Sequence, residues 1–340
     1  MQRLVILAPN WLGDAVMALP AIADVRRALP EAHLAIAARA AVAPLFQLVP
    51  GVDDTILLRA GASLRRIGAW RSIGAELSGR RFDAAVVLPN SIHAALVASR
   101  ARIPERWGYA SGIRRRWLTR SIARTARGHQ IDDYRRLVAT LGFANGTREP
   151  RITVPEAARS AADQRLEDAG WNRNAPLVAL APGAAYGGAK RWPPERFAEL
   201  ASALAGDGLE SVLVGSAADA ETAGEVRRAF ERRVGSDAGL HDLTGRTDLP
   251  TLAGVFTRCR ALVTNDSGAM HLAAAAGVPV TAIFGPTNEH ATRPVGNAHE
   301  VVSHPVWCRP CMLRECPIDH RCMHGVSVLA VVDAARRTIR

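Results

Sequence analysis

The chain begins with an apolar run at 3–8, RLVILA, after which apolar positions return every three or four residues. The first pattern predicts a buried strand and the second an amphipathic helix over 14–28. The alternation continues, with strands predicted at 33–38, 54–58 and 84–88 and helices at 41–48, 62–79 and 91–100. Parallel strands need a crossover, and a crossover helix buries its apolar face on the sheet, so this order predicts a parallel sheet covered by helices. The polar stretch 146–166 breaks the rhythm and reads as a link between domains. Alternation then resumes, with strands predicted at 176–181, 210–214, 261–264 and 279–284 and helices at 194–205, 218–230, 249–258 and 268–276.

The expected architecture is α/β, two Rossmann-like domains spanning 1–160 and 161–325, with an amphipathic terminal helix over 326–340. Ligands of open parallel sheets bind beyond the carboxyl ends of the strands, which directs attention to the loops that follow them.

At 340 residues the chain has enough length for two cores. No apolar run approaches the roughly 20 residues of a membrane-spanning helix. The opening stretch has a basic residue ahead of apolar ones, but Asn10 and Asp14 interrupt it, so it reads as strand and helix rather than a secretion signal. A cytoplasmic location is expected. The net charge of +11 is uneven, and residues 100–129 hold nine arginines against one acidic residue, Glu105. Such a surface attracts anions such as phosphorylated substrates or acidic lipid headgroups. No nucleic-acid-binding signature accompanies it, so nucleic acid is not expected as a partner.

Of the 43 basic residues, Lys190 alone is lysine. Surface lysine and arginine are near equivalents, but a narrow socket for one phosphate accepts a compact ammonium and rejects a planar guanidinium. Lys190 stands in PGAAYGGAKRWP, where Gly183, Gly187 and Gly188 let backbone N–H groups approach a ligand closely. In VTNDSGAMHLAAAAGVP, Asp266 or Ser267 caps a helix whose N-terminus carries Gly268 and which places His271 one turn on. The free N–H groups there suit an anion. Two such elements at strand ends suggest a nucleotide diphosphate.

In the first domain, PNWLGD sets Asn10, Trp11 and Asp14 in the turn after the first strand, and LPNS sets Asn90 and Ser91 after a later one. Asp14 is either a helix cap or a carboxylate projecting towards substrate, where a general base belongs. Four cysteines at 308, 311, 316 and 322 read either as a structural zinc site or as free structural thiols.

The motifs PNWLGD, LPNS, PGAAYGGAKRWP, GSAADAE, LTGRTDLPTLAGV, TNDSGAMHLAAAAGVP and FGPTNE, in that order from about residue 4 to 295, resemble those of the lipopolysaccharide ADP-heptose heptosyltransferases, glycosyltransferase family 9. PNWLGD, LPNS and AKRWP are closer to the heptosyltransferase II subgroup than to heptosyltransferase I. The resemblance implies the GT-B fold, two Rossmann-like domains whose parallel sheets face across a cleft. It implies transfer of heptose from ADP-L-glycero-D-manno-heptose to the first heptose of the inner core, by inverting displacement, on a heptosyl-Kdo2-lipid A acceptor at the inner face of the inner membrane. By resemblance Asp14 is the base and Lys190 neutralises the diphosphate. Gly183, Ala184, Glu221, Leu249, Asp266, Ser267, Gly268 and His271 join Lys190 around the donor, with Glu221 near the ribose and Leu249 on adenine. Asn10, Trp11, Asn90, Ser91 and Arg114 are expected to meet the acceptor. No DxD-type metal motif stands out, and no cofactor is expected to be required, with structural zinc or free thiols both open at the cysteines. Heptosyltransferase I or another nucleotide-sugar enzyme of GT-B architecture, an epimerase or hydrolase, and a non-catalytic nucleotide-binding scaffold are the alternatives.

Overall fold

The computed structural model describes residues 1–58, 67–124, 128–144 and 146–339. They form two compact units, Met1–Ile152 and Thr153–Arg340.

The first unit contains β1 (Arg3–Leu7), α1 (Leu12–Met17), α2 (Leu19–Ala28), β2 (His33–Ala38), β3 (Asp54–Leu57), α3 (Ile67–Ser78), β4 (Ala84–Val87), α4 (Ile92–Arg100), β5 (Glu105–Tyr109), β6 (Arg120–Ile122) and α5 (Gln130–Thr140). Its six-stranded sheet has the order β3-β2-β1-β4-β5-β6, and every pairing is parallel. The helix expected over 14–28 is two helices, starting at Leu12 and interrupted at Ala18, with Pro20 in the first turn of the second. Proline has no N–H to continue the ladder and is best tolerated at a helix start. The segment expected as a helix over 41–48 is a tighter 3-10 helix, Ala43–Leu48. The first residues of the helix expected over 62–79 lie outside the described residues.

The second unit contains α6 (Glu156–Asp168), β7 (Leu177–Ala181), α7 (Pro194–Gly206), β8 (Glu210–Leu213), α8 (Ala220–Val234), β9 (Leu240–Asp242), α9 (Leu249–Arg258), β10 (Cys259–Asn265), α10 (Gly268–Ala275), β11 (Val280–Phe284), α11 (Glu289–Thr292), β12 (His299–Ser303), α12 (Arg321–His324) and α13 (Val328–Thr338). The sheet order is β12-β11-β10-β7-β8-β9, again parallel throughout. The stretch expected to be a plain link holds α6, so the chain divides at 152/153 and this helix belongs whole to the second unit. Ala158, Ala162 and Leu166 make a narrow buried stripe on α6. It packs on α9 so closely that a Cβ on Gly254 would lie 2.4 Å from the Ala158 carbonyl oxygen. Trp192 is fully buried in this unit's core, edge-on to Phe197 at 5.1 Å between ring centroids, and its Nε1 donates to the Val326 carbonyl at 3.0 Å. The terminal helix α13 joins the same core through Val331, Val332 and Ala335.

In each sheet the chain runs outwards on one side of its first strand and then returns to the other side. The crevice at that reversal, between β1 and β4 in the first unit and between β7 and β10 in the second, is where open α/β sheets bind ligands.

Candidate active site

Both reversal points carry the residues singled out by sequence. In the second unit, the loop after β7 contains Gly183 to Lys190 and the turn after β10 contains Asp266 and Ser267. Buried Asn265 ties them together: its Nδ2 donates to the Pro182 carbonyl at 2.7 Å and its Oδ1 accepts from the Trp192 N–H at 3.1 Å. Lys190 Nζ then reaches Asp266 Oδ2 at 2.5 Å, with the two side chains only 11% and 8% exposed. Thr287 Oγ1 donates to the same carboxylate oxygen at 2.7 Å. Asn265 and Thr287 escaped the sequence reading, since each acts through a partner distant along the chain.

Ser267 occupies the N-cap position of α10, but its side chain makes no capping bond, and its Oγ lies 3.2 Å from Thr264 Oγ1. The first turn of α10, beginning at Gly268, thus presents backbone N–H groups without a side-chain cap beside Lys190, an arrangement suited to an anion. His271 is buried on the same helix, and Ala184 is buried in the loop. Gly183 has a spatial reason to be glycine: a Cβ there would lie 2.1 Å from Asp219 Oδ1. Asp219, another residue missed by sequence reasoning, is locked by a capping box with Ser216 after β8. Glu221 is exposed in the first turn of α8, and Leu249, half-buried, opens α9. These two follow β8 and β9, further along the carboxyl edge than the Lys190–Asp266 pair.

In the first unit, Asn10 and Trp11 are exposed after β1, and Asp14 lies half-buried in the first turn of α1. Its side chain is not the helix cap, because the N-cap position belongs to Trp11. Tyr134 on α5 stands within electrostatic reach of Asp14, and its hydroxyl is pushed above the ordinary tyrosine range, first by burial and then by the Asp14 charge. Tyr134 is therefore a neutral phenol beside this carboxylate, and no motif announced it.

Ser91 caps α4, its Oγ accepting from the Ala94 N–H at 3.2 Å, and Asn90 is exposed just before it. Arg114, expected to meet a ligand, is instead fully buried. Its guanidinium donates to the Tyr109 carbonyl at 2.6 Å, the Val87 carbonyl at 3.1 Å and Asn90 Oδ1 at 3.2 Å. Burial lowers its pKa to about 10. It fastens the loops after β4 and β5 to each other, and Gly108 leaves it room, since a Cβ there would lie 2.9 Å from Nη2. Its neighbours Arg115 and Arg116, with Ser111 and Gly112, line an open polar pocket of about 530 Å³.

The four clustered cysteines and Cys259 are free thiols. Among the described residues, no group of three or more His, Cys, Asp or Glu side chains is disposed to hold a metal ion. Burial, followed by the charges of Cys308, Cys316 and Cys311, raises the Cys322 pKa. Among the described residues no helix is long and apolar enough to cross a membrane.

Comparison with known proteins places the chain among relatives of one family. Lipopolysaccharide heptosyltransferase 2 of Salmonella typhimurium is 32% identical over 310 residues, 88% of this chain and 88% of its own length. The protein of the same name from Escherichia coli is 31% identical over the same shares. The solved structure of E. coli ADP-heptose LPS heptosyltransferase II has a TM-score of 0.84 at 29% identity, covering 100% of this chain and 98% of that one. The model of glycosyltransferase family 9 (heptosyltransferase) matches residues 70–321, and the chain belongs to that family of glycosyltransferases.

Proposed function

We propose that this enzyme is a heptosyltransferase II, transferring heptose from ADP-L-glycero-D-manno-heptose to the first heptose of the lipopolysaccharide inner core. The observation that carries the reading is Lys190 held against Asp266 beside the uncapped first turn of α10, an arrangement suited to an anion at the reversal point of the second sheet. The names and coverage of the relatives support the donor and acceptor classes.

In this reading the second unit binds the donor and the first binds the acceptor and supplies the base. The Asp14 carboxylate takes the proton from the acceptor hydroxyl as its oxygen forms a bond to the anomeric carbon, and the bond from that carbon to ADP breaks on the opposite face. Negative charge then accumulates on the departing diphosphate. In this reading Lys190 and the α10 N–H groups stabilise it. The pocket lined by Arg115 and Arg116 suits the phosphates and carboxylates of a heptosyl-Kdo2-lipid A acceptor, and an acceptor of this kind would bring the enzyme to the inner face of the inner membrane.

The test is mass spectrometry of heptosyl-Kdo2-lipid A after incubation with enzyme and ADP-heptose. The reading expects the acceptor to gain one heptose. Donor turnover with an unchanged acceptor would instead point to a nucleotide-sugar hydrolase or epimerase.

A further inference from the structure

The cysteine-bearing segment between β12 and α12 lies across the glycine-rich loop that follows β7. The Ala189 N–H donates to the Arg314 carbonyl at 2.9 Å, and the Gly188 N–H donates to Glu315 Oε1 at 3.0 Å. Tyr186 Oη donates to the Met312 carbonyl at 2.8 Å, while the Met312 N–H donates to the Pro286 carbonyl at 2.9 Å. Contact is close enough that a Cβ on Gly187 would lie 2.3 Å from the Arg314 carbonyl oxygen. The strap thereby sets the Arg314 guanidinium 5.3 Å from the centroid of the Tyr186 ring, and Lys190 Nζ lies 4.6 Å from the same centroid. Two cations share one aromatic ring, a gathering of like charge that an anion would relieve.

Their situations differ. The charge of Lys190 is already met by Asp266. Arg314 is exposed, and among the described residues its guanidinium makes no ion pair or hydrogen bond. Because Lys190 and Asp266 together are close to neutral, a diphosphate arriving beside Lys190 and the Tyr186 ring finds uncompensated positive charge on Arg314, which shares that ring. We infer that Arg314 is a second cation of the donor site, binding the diphosphate of a nucleotide-linked sugar alongside Lys190. The inference rests on the donor reading above. It gives the cysteine-bearing strap a role in that site, that of carrying Arg314 to the loop.

The experiment compares ADP and adenosine binding to the full-length wild-type, Arg314→Gln and Arg314→Lys proteins, by calorimetry for ADP and ligand-observed NMR for adenosine. An exposed charge-assisted contact corresponds to a loss of about tenfold in ADP affinity for Arg314→Gln. Adenosine affinity should stay unchanged, and Arg314→Lys should recover most of the ADP affinity. Unchanged ADP affinity in Arg314→Gln would overturn the inference, as would an equal loss for adenosine, which would signify a disturbed loop. A wild-type protein that binds no ADP would overturn the donor reading and this inference with it, an outcome distinct from wild-type binding that Arg314→Gln leaves intact.

Discussion

Lys190 Nζ lies 2.5 Å from Asp266 Oδ2, joining the loop after β7 to the turn after β10 through a largely buried ion pair. The ammonium also lies 4.6 Å from the centroid of the Tyr186 ring, and a planar guanidinium fork would have to meet both partners with a different shape. We expect Lys190→Arg to lower ADP affinity by about tenfold or more, since a charge-assisted hydrogen bond is worth ~1.5–3 kcal/mol and ~1.4 kcal/mol is a factor of ten. Calorimetric titration with ADP checks this, and affinity equal to wild type would show that the lone lysine has no special geometry to satisfy.

Lys190→Ala has a separate consequence for folding. It strands the Asp266 carboxylate with Thr287 as its remaining donor among the contacts described above. Loss of one member of a buried pair costs about 3 kcal/mol or more. Urea denaturation should record that loss, and undiminished stability would mean that solvent reaches Asp266 freely.

Arg114 makes a contrasting prediction in the first unit. Arg114→Met removes the guanidinium and leaves the Val87 and Tyr109 carbonyls and Asn90 Oδ1 without this donor. The expected destabilisation is about 2 kcal/mol, in the range for buried acceptors left unpaired. ADP affinity should be unaltered, because the donor loops belong to the other unit. A protein as stable as wild type in urea would contradict the fastening role.

Thiol reactivity follows from the raised pKa of two cysteines. Burial pushes Cys259 upward, and burial together with the neighbouring thiols pushes Cys322 upward, so at a given pH each has a smaller thiolate fraction than an ordinary thiol. The thiolate is the nucleophile, and both side chains are also buried. Iodoacetamide at pH 8 should therefore modify Cys308, Cys311 and Cys316 well before Cys259 and Cys322, with the two slow residues catching up only under denaturant. Peptide mass spectrometry over time checks the order, and early labelling of Cys322 would contradict it.

The central strands were legible in the sequence because they are apolar and buried on both faces, as in LVALA of β7 and VTAIF of β11. The edge strand β3 was legible too, but four strands nearer the other edges were not. ERWGY in β5, RSI in β6, LHD in β9 and HEVVS in β12 are short or carry polar residues, and their pairing is set by a neighbour rather than by a local pattern. The helix α6 was hidden because small alanines suffice where α9 approaches so closely. At the site, glycine-rich turns and the single lysine announced themselves by composition. Asn265, Thr287, Asp219 and the Arg314 strap did not, because their meaning lies in contacts with distant segments. The run Arg114–Arg116 shows the same limit: three identical side chains give no sign of which turns inward, and the structure buries the first while the other two line the pocket.

The most direct test of the proposed chemistry measures ADP release from ADP-L-glycero-D-manno-heptose, with and without heptosyl-Kdo2-lipid A, for wild type and Asp14→Ala. Wild type should release ADP only when acceptor is present. Loss of a general base should slow that release by about 10²–10⁴-fold while leaving ADP affinity intact. Acceptor-dependent release at the wild-type rate in Asp14→Ala would contradict the assignment of Asp14 as the base, and wild-type release indifferent to acceptor would contradict glycosyl transfer itself.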